Sequence, residues 1–180
     1  MTGVSARENG AQAQFASLMG QLDQPVYVVT VRGADGPAGC LVGFAGQVSI
    51  DPPLFLAGLS EKNHTWRASQ QASHLAVHII PRAEDELVHL FGELTGDSVD
   101  KFVRCTWRDG PHGVPILEQS AAWFVGEILA RITLGDHIGH VLLPVAVSRS
   151  RELGQYVSFS DVHGLTPLCQ AHLRHLPTDN

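Results

Sequence analysis

A mainly β, antiparallel barrel with inserted helices is the fold class that this sequence predicts. Three observations carry that expectation. Runs such as QPVYVVTVRG and PPLFLAGLS are dense in β-branched, aromatic and other apolar residues, and Gly, Pro or Asp bound them. Helical spacing occurs in only two or three places and never alternates strictly with strands, which argues against a doubly wound parallel sheet. Asp35-Gly36 and Gly135-Asp136 each stand between strand-like runs, where those residue types favour tight hairpin turns.

The elements follow in chain order. Residues 1–10 are small and polar and are expected to be a flexible N-terminus. Phe15, Leu18, Met19 and Leu22 fall at i, i+3, i+4 and i+7, one apolar face of a short helix that Pro25 should stop. QPVYVVTVRG is the first strand, GADGPAG a turn, and CLVGFAGQVSI the second strand of the hairpin. PPLFLAGLS is a third strand, apolar enough to be buried on both faces. NHTWRASQQA has helical spacing, and HLAVHII is a strand that Pro81 ends. AEDELVHLFGEL places Leu87, Leu90, Phe91 and Leu94 on one stripe, with acids in its first turn where the helix dipole favours them. TGDSVDKFVRCTW reads as a loop with a short turn of helix, and RDGPHGVP as a loop. AAWFVGEILARITL and HIGHVLLPVAV form a long hairpin. The expected layout is one domain over residues 11–150 followed by a C-terminal arm, 151–180, lying on the body or on a partner.

A chain of 180 residues is long enough for one real core. Twelve basic against 18 acidic residues give a formal net charge of -6, which disfavours nucleic acid or an anionic membrane as partner. Cys40, Cys105 and Cys169 form no CxxC pair and no even framework, so a reducing cytoplasm is the expected setting. The N-terminus lacks the apolar core of a signal peptide, and VLLPVAV is short and broken by Pro144, so no membrane span is expected.

Several chemistries find no footing. Cys169, His172 and His175 lie three residues apart near the end of the chain, but a closed zinc site needs a fourth ligand, and no metal site is expected. His74 and His78 point to the same side of a strand but are far apart along it. There is no GxSxG elbow, Cys40 reads as a small core residue, and neither a GxGxxG turn nor a GxxxxGK[ST] phosphate loop occurs. Any nucleotide cofactor must be held in another way.

The stretch GCLVGFAGQVSIDPP, residues 39–53, stands out because it reads as a strand yet holds three glycines. Glycine leaves no side chain to pack and costs entropy on ordering. Gly43, Ala45 and Gly46 bare one side of the backbone, which suits the edge of a flat heterocycle such as a flavin ring. The other reading of these residues is a bulge that curves a barrel strand with no ligand at all.

Taken with its surroundings, the segment resembles the flavin reductase-like family with the FMN-binding split barrel. The resemblance rests on Val28-Val29-Thr30, the segment 39–53 with its Asp-Pro-Pro end, the turn from Ser60 through Lys62 to Thr65, the pair Lys101-Phe102 and the hairpin Gly135-Asp136-His137. These run in order over roughly residues 12–150, each motif weak alone and specific together. The resemblance implies a six-stranded antiparallel Greek-key split barrel that forms a homodimer, with flavin at the dimer edge. It implies that Val42, Gly43, Phe44, Ala45 and Gln47 border the ring and ribityl chain, largely through backbone groups. Ser60, Lys62 and Thr65 would face the phosphate, joined by Lys101 and Phe102 from a flexible segment, and His137 would lie where a nicotinamide can stack. The function implied is an NAD(P)H-dependent flavin reductase, using NADH or NADPH to reduce FMN or FAD, with the reduced flavin either passing to a partner monooxygenase or staying bound. A flavin-binding electron carrier without reductase activity is the alternative, and a barrel without flavin a third. Where the family often carries Thr or Ser along the second strand, this chain has Leu41, Gly43 and Phe44, which leaves the choice between FMN and FAD open.

Overall fold

The computed structural model describes residues 3–149 and 153–162. In order, the described elements are α1 (Gly3–Met19), β1 (Tyr27–Gly33), β2 (Gly36–Val42), β3 (Ala45–Ile50), β4 (Pro53–Ser60), α2 (His64–Ser69), β5 (His74–Ile79), α3 (Asp85–Glu93), β6 (Trp107–Asp109), β7 (Pro115–Leu117), β8 (Ala122–Leu134), β9 (His137–Arg149) and α4 (Phe159–Val162), with short 3-10 turns at Lys101–Val103 and Pro111–Gly113. The fold is mainly β. One seven-stranded antiparallel sheet runs in the order β2-β1-β5-β8-β9-β4-β3, and β6 pairs with β7 in a separate ribbon.

The sheet is curled, and its packing shows why. A single interior cluster draws Val29 and Val31 from β1, Cys40 and Val42 from β2, Phe55, Ala57 and Leu59 from β4, Leu75 and Val77 from β5, and Leu142 from β9, with Ala45, Phe124 and Ile128 of β3 and β8 packed against it. Every strand of the sheet therefore faces one interior, and Tyr27 of β1 meets Phe55 of β4 with ring centroids 5.4 Å apart although β5, β8 and β9 lie between those strands in the sheet, which a flat sheet could not arrange. Its two edge strands, β2 and β3, are joined by only Gly43 and Phe44. At about 3.8 Å between consecutive Cα atoms, that link keeps the two edges within about 11 Å where the chain crosses between them.

The expected single second strand is thus two strands, and the sheet has seven rather than six. The cause is local: β2 pairs with β1 up to Val42, opposite Tyr27, whereas β3 starts at Ala45 and pairs with β4 on the other side. At the β1–β2 and β8–β9 turns, Gly36 and Gly135 take φ of 126° and 68°, a region that side chains rarely adopt. β4 is not buried on both faces as its composition suggested. Phe55, Ala57 and Leu59 enter the interior, while Leu54 and Leu56 stay half-buried on the other face.

Helix α1 starts well before Phe15 and ends at Met19, where Gly20 follows, rather than at Pro25. Its early residues include Ala, Arg, Glu and Gln, good helix formers, so the N-terminal stretch expected to be flexible is helical from Gly3. Phe15, Leu18 and Leu22 are exposed. Helix α2 lies against the interior, with Trp66 and Ala68 packed on it and Trp66 edge-on to the buried His140 at 5.7 Å. A second cluster, outside the sheet, gathers Val28, Leu87, Val88, Leu90, Phe91, Phe102, Leu117 and Val157 under α3. The loop expected at RDGPHGVP holds the end of β6, the Pro111–Gly113 turn and the start of β7.

Residues 153–162 lie on the body. The Val26 N–H donates to the Val157 carbonyl at 3.2 Å, the Val157 N–H to that of Ile80 at 2.9 Å, and the Phe159 N–H to that of Gln24 at 2.8 Å. Asp23 accepts from the Ser158 and Ser160 hydroxyls at 3.0 and 3.2 Å. Cys169, His172 and His175 lie outside the described residues.

Candidate functional site

A cleft of about 380 Å³ opens beside β3, lined by Phe44, Ala45, Gly46, Val48, Leu56, Gly58, Leu134, Asp136 and His137. Three pieces of chain build it. The bend between β2 and β3 supplies Phe44, β4 supplies the facing wall, and the β8–β9 turn supplies the polar rim. The register fixes their meeting: Gly46 is opposite Leu56, and Ser60 is opposite His137, which in turn faces Leu134.

Glycine decides which parts of this region are filled. A Cβ at Gly39 would lie 2.9 Å from the Phe91 ring, and one at Gly43 would lie 2.6 Å from the Phe159 ring. The room left by those two residues is therefore taken by aromatic side chains of the chain itself. A Cβ at Gly46 would meet nothing within 4 Å, and that open side lines the cleft. At Gly58 a Cβ would come within 3.1 Å of the Phe44 carbonyl oxygen, which accepts the Gly58 N–H at 2.8 Å. This close crossing holds the bend against β4.

His137 is half-buried. Its Nδ1 lies 2.8 Å from the Asp136 carboxylate, so Nδ1 donates and Nε2 is left as the acceptor of the neutral ring. The Phe44 ring meets the imidazole edge-on, with centroids 5.0 Å apart. The His137 hydrogen bond, more than any other cause, holds the Asp136 carboxyl below its usual range, and the Lys62 ammonium adds to the effect. Lys62 is thus electrostatically coupled to the rim. A hydrogen bond ties the same two turns: the residue before Lys62, Glu61, donates its N–H to the Asp136 carbonyl at 3.2 Å.

Leading away from Ser60, a tight turn precedes α2. The Asn63 N–H donates to the Ser60 carbonyl at 2.9 Å, and the Asn63 side chain accepts the Thr65 N–H at 3.0 Å. Thr65 is buried, and its hydroxyl has no partner among the described residues. An orphaned buried hydroxyl costs free energy unless something satisfies it.

Of the residues that the sequence singled out, the cleft brings together Phe44, Ala45 and His137, with Ser60, Lys62 and Thr65 on the adjoining turn. Gln47 is on β3, exposed, and donates from its side chain to the Ser49 carbonyl at 3.0 Å. Val42 points into the interior cluster, and Gly43 is covered by Phe159. Lys101 and Phe102 sit elsewhere. Lys101 is 4% exposed; its Nζ donates to the Gly39 carbonyl at 3.0 Å and to that of Phe91 at 3.4 Å. Phe102 packs in the outer cluster against Phe91 and Trp107. Rather than reaching a ligand from a flexible segment, this pair ties β2 to α3. Reaching a phosphate would strand two buried carbonyls.

Gly46, read from the sequence as baring the backbone, does line the cleft, whereas Val48, Leu56, Gly58, Leu134 and Asp136 are the lining residues that sequence reasoning missed. Leu56 and Gly58 share a face of β4 by simple alternation, a signal that an all-apolar strand hides. Asp136 stood inside the Gly-Asp-His motif, but as a turn residue. Among the described residues, no cluster of three or more His, Cys, Asp or Glu side chains could hold a metal, and no helix is long and apolar enough to cross a membrane.

The flavin reductase like domain matches residues 19–162, and the chain belongs to that family. It is 30% identical over 131 residues to the FMN reductase (NADH) SmoA of Agrobacterium fabrum, covering 71% of this chain and 73% of that one. It is 34% identical over 114 residues to the reductase subunit of stachydrine N-demethylase of Rhizobium meliloti, covering 61% of this chain and 48% of that protein, so the match spans about half of that relative's length. Among solved structures, an FMN-binding protein from Thermus thermophilus superposes with a TM-score of 0.72 at 30% identity, over 77% of this chain and 82% of that one.

Proposed function

We propose that this protein is an NAD(P)H-dependent flavin reductase that reduces FMN or FAD in the cleft beside β3 and can hand the reduced flavin to a partner monooxygenase. The observation that carries this reading is the open side of Gly46: of the glycines along this segment, Gly39 and Gly43 are filled by aromatic rings, and Gly46 on β3 leaves room for a flat ring against the backbone. The relatives support it, since those matched are named as an FMN reductase (NADH) and as the reductase subunit of an N-demethylase.

The residues present fit such a cofactor. Phe44, Ala45 and Gly46 offer an apolar seat with exposed backbone, and the β3 amides flank it. Ser60, Lys62 and the unpartnered Thr65 hydroxyl offer polar groups for a ribityl chain or phosphate. When flavin is bound, it supplies the redox chemistry by accepting hydride from a nicotinamide. The chain's own work is to hold the two ring systems in register, for which Val48, Leu56 and Leu134 offer apolar walls. His137, its proton held on Nδ1 by Asp136, presents Nε2 at the rim and orients the nicotinamide.

We also infer that the seven-stranded sheet closes across the short β2–β3 link into the split barrel of the family. A homodimer would cover the exposed apolar residues near the cleft, among them Ile50 at 87% and Phe44 at 64% exposure. Such exposure is large for a monomer surface.

The test is NADH and NADPH oxidation by purified protein, with and without added FMN or FAD. Flavin-dependent oxidation well above the protein-free rate is expected. His137→Ala should lower turnover by about tenfold to a hundredfold while changing flavin affinity less, because a misplaced nicotinamide costs rate rather than flavin contacts. Flavin binding without oxidation would overturn the reductase reading in favour of an electron carrier. Unchanged turnover in the variant would remove His137 from the site.

A further inference from the structure

A polar clamp lies behind the turn that runs from Ser60 to α2. Asp97, in the loop after α3, accepts two hydrogen bonds from Arg67 Nη2 at 2.5 and 2.6 Å, one from His64 Nδ1 at 2.9 Å and one from the Thr95 hydroxyl at 3.1 Å. The Asp97 N–H donates back to Thr95 Oγ1 at 3.2 Å. Arg67 turns its other amino group, Nη1, to the Lys62 carbonyl at 3.3 Å. Beside them, Gly96 lies so close to the His64 ring that a Cβ there would sit 2.7 Å from it. One carboxylate, 30 residues away in sequence from Arg67, is therefore linked through a single guanidinium to the backbone of Lys62.

The clamp is half-exposed, and as a surface ion pair it would contribute little to stability. Its geometry is nonetheless demanding. A carboxylate that accepts four hydrogen bonds from three side chains fixes the Arg67 guanidinium, and the guanidinium fixes a carbonyl at the centre of a turn. That turn carries Lys62, whose neighbour Glu61 donates its N–H to the Asp136 carbonyl on the cleft rim, and it leads into α2, where the buried Thr65 hydroxyl has no partner among the described residues. A cation on a flexible stem is useful for binding an anion only when its backbone is held, because freezing it on binding costs entropy.

We propose that Asp97 is a positioning residue for the phosphate of the bound flavin, acting through Arg67 on the Lys62 carbonyl to hold the turn that presents Lys62. This rests on the reading of the cleft as a flavin site and deepens it. Asp97 does not touch the flavin; it sets where Lys62 stands. The selectivity it supports is for the phosphorylated flavin, FMN, over riboflavin, which has the same ring and ribityl chain but no phosphate.

The experiment titrates the full chain with FMN and with riboflavin, following flavin fluorescence, for the wild type, Asp97→Ala, Asp97→Glu and Arg67→Gln. A thermal melt of each variant accompanies the titrations. The expected result is an FMN dissociation constant about tenfold higher in Asp97→Ala and Arg67→Gln, with that for riboflavin unchanged, and partial recovery in Asp97→Glu. Equal losses for FMN and riboflavin would make the clamp a general structural tie and overturn the proposal. So would an unaltered FMN preference in both folded variants. A wild-type chain that binds FMN no better than riboflavin would overturn the phosphate role while leaving the flavin site standing. Binding of neither by the wild type would overturn the reading of the cleft itself, and the proposal with it.

Discussion

Gly43 and Gly46 stand three residues apart on one segment and do opposite work. At Gly43 the missing side chain admits the Phe159 ring, so the glycine is a packing device that lets residues 153–162 close against the bend. At Gly46 the missing side chain admits nothing from the described residues, and the space belongs to the cleft. The lesson is that a glycine-rich strand does not announce a ligand site by its glycines alone. What matters is whether the fold fills the room. Here one end of the segment is sealed into the body and the other is left open, with Phe44 at the boundary between them.

The sealed side can be broken by acid, the largest effect expected. His78 is fully buried, with Nδ1 at 3.0 Å from the Val28 carbonyl and Nε2 accepting the Leu117 N–H at 3.2 Å. His140 is buried beside Ser69 and Trp66. Burial pushes both imidazoles down to about 4 from an ordinary value of 6.5. The unfolded chain therefore holds more protons than the folded one between those values, and stability falls as pH drops through that window. Each contributes up to the order of 3 kcal/mol by pH 4. Denaturant unfolding at pH 7 and pH 4.5 checks this; a pH-independent midpoint would contradict it.

Next in size is the seal itself. Gly43→Ala should cost roughly 1–3 kcal/mol, since its Cβ and the Phe159 ring cannot both stay in place. Combined with Phe159→Ala, which vacates the space, the Gly43→Ala penalty should largely disappear. A double-mutant cycle by chemical denaturation measures that coupling. Simple additivity of the two substitutions would mean that Phe159 does not occupy the Gly43 face.

How much of this was legible in the sequence follows the same division. The strands were readable because Val28 to Val31, Leu54 to Leu59 and Leu75 to Val77 are dense in apolar residues, and the hairpin at Gly135-Asp136 because a tight turn needs those residue types. The break between Val42 and Ala45 was not, since CLVGFAGQV reads as one continuous run; the break comes from β2 and β3 pairing with different neighbours on the two edges of a curled sheet. The site was legible where residues close in sequence define it, as in Phe44-Ala45 and Gly135-Asp136-His137. It was illegible where distant elements fill a gap. No local pattern tells that Phe159 covers Gly43, that Phe91 covers Gly39, or that Lys101, a cation in a motif pointing to an anion, turns inward to two carbonyls.

The smallest change in stability is expected on the open side, and it provides the most direct test of the account. The measurement is the flavin affinity of Gly46→Val beside its unfolding midpoint. Valine is well suited to a strand, and its Cβ meets nothing, so stability should stay within about 0.5 kcal/mol of the parent. The new side chain would stand in the cleft, and FMN binding should weaken by about tenfold or more, as an overpacked contact of 1–3 kcal/mol implies. A folded Gly46→Val protein that binds FMN as tightly as the parent would contradict the central claim that the flavin lies against this face of β3.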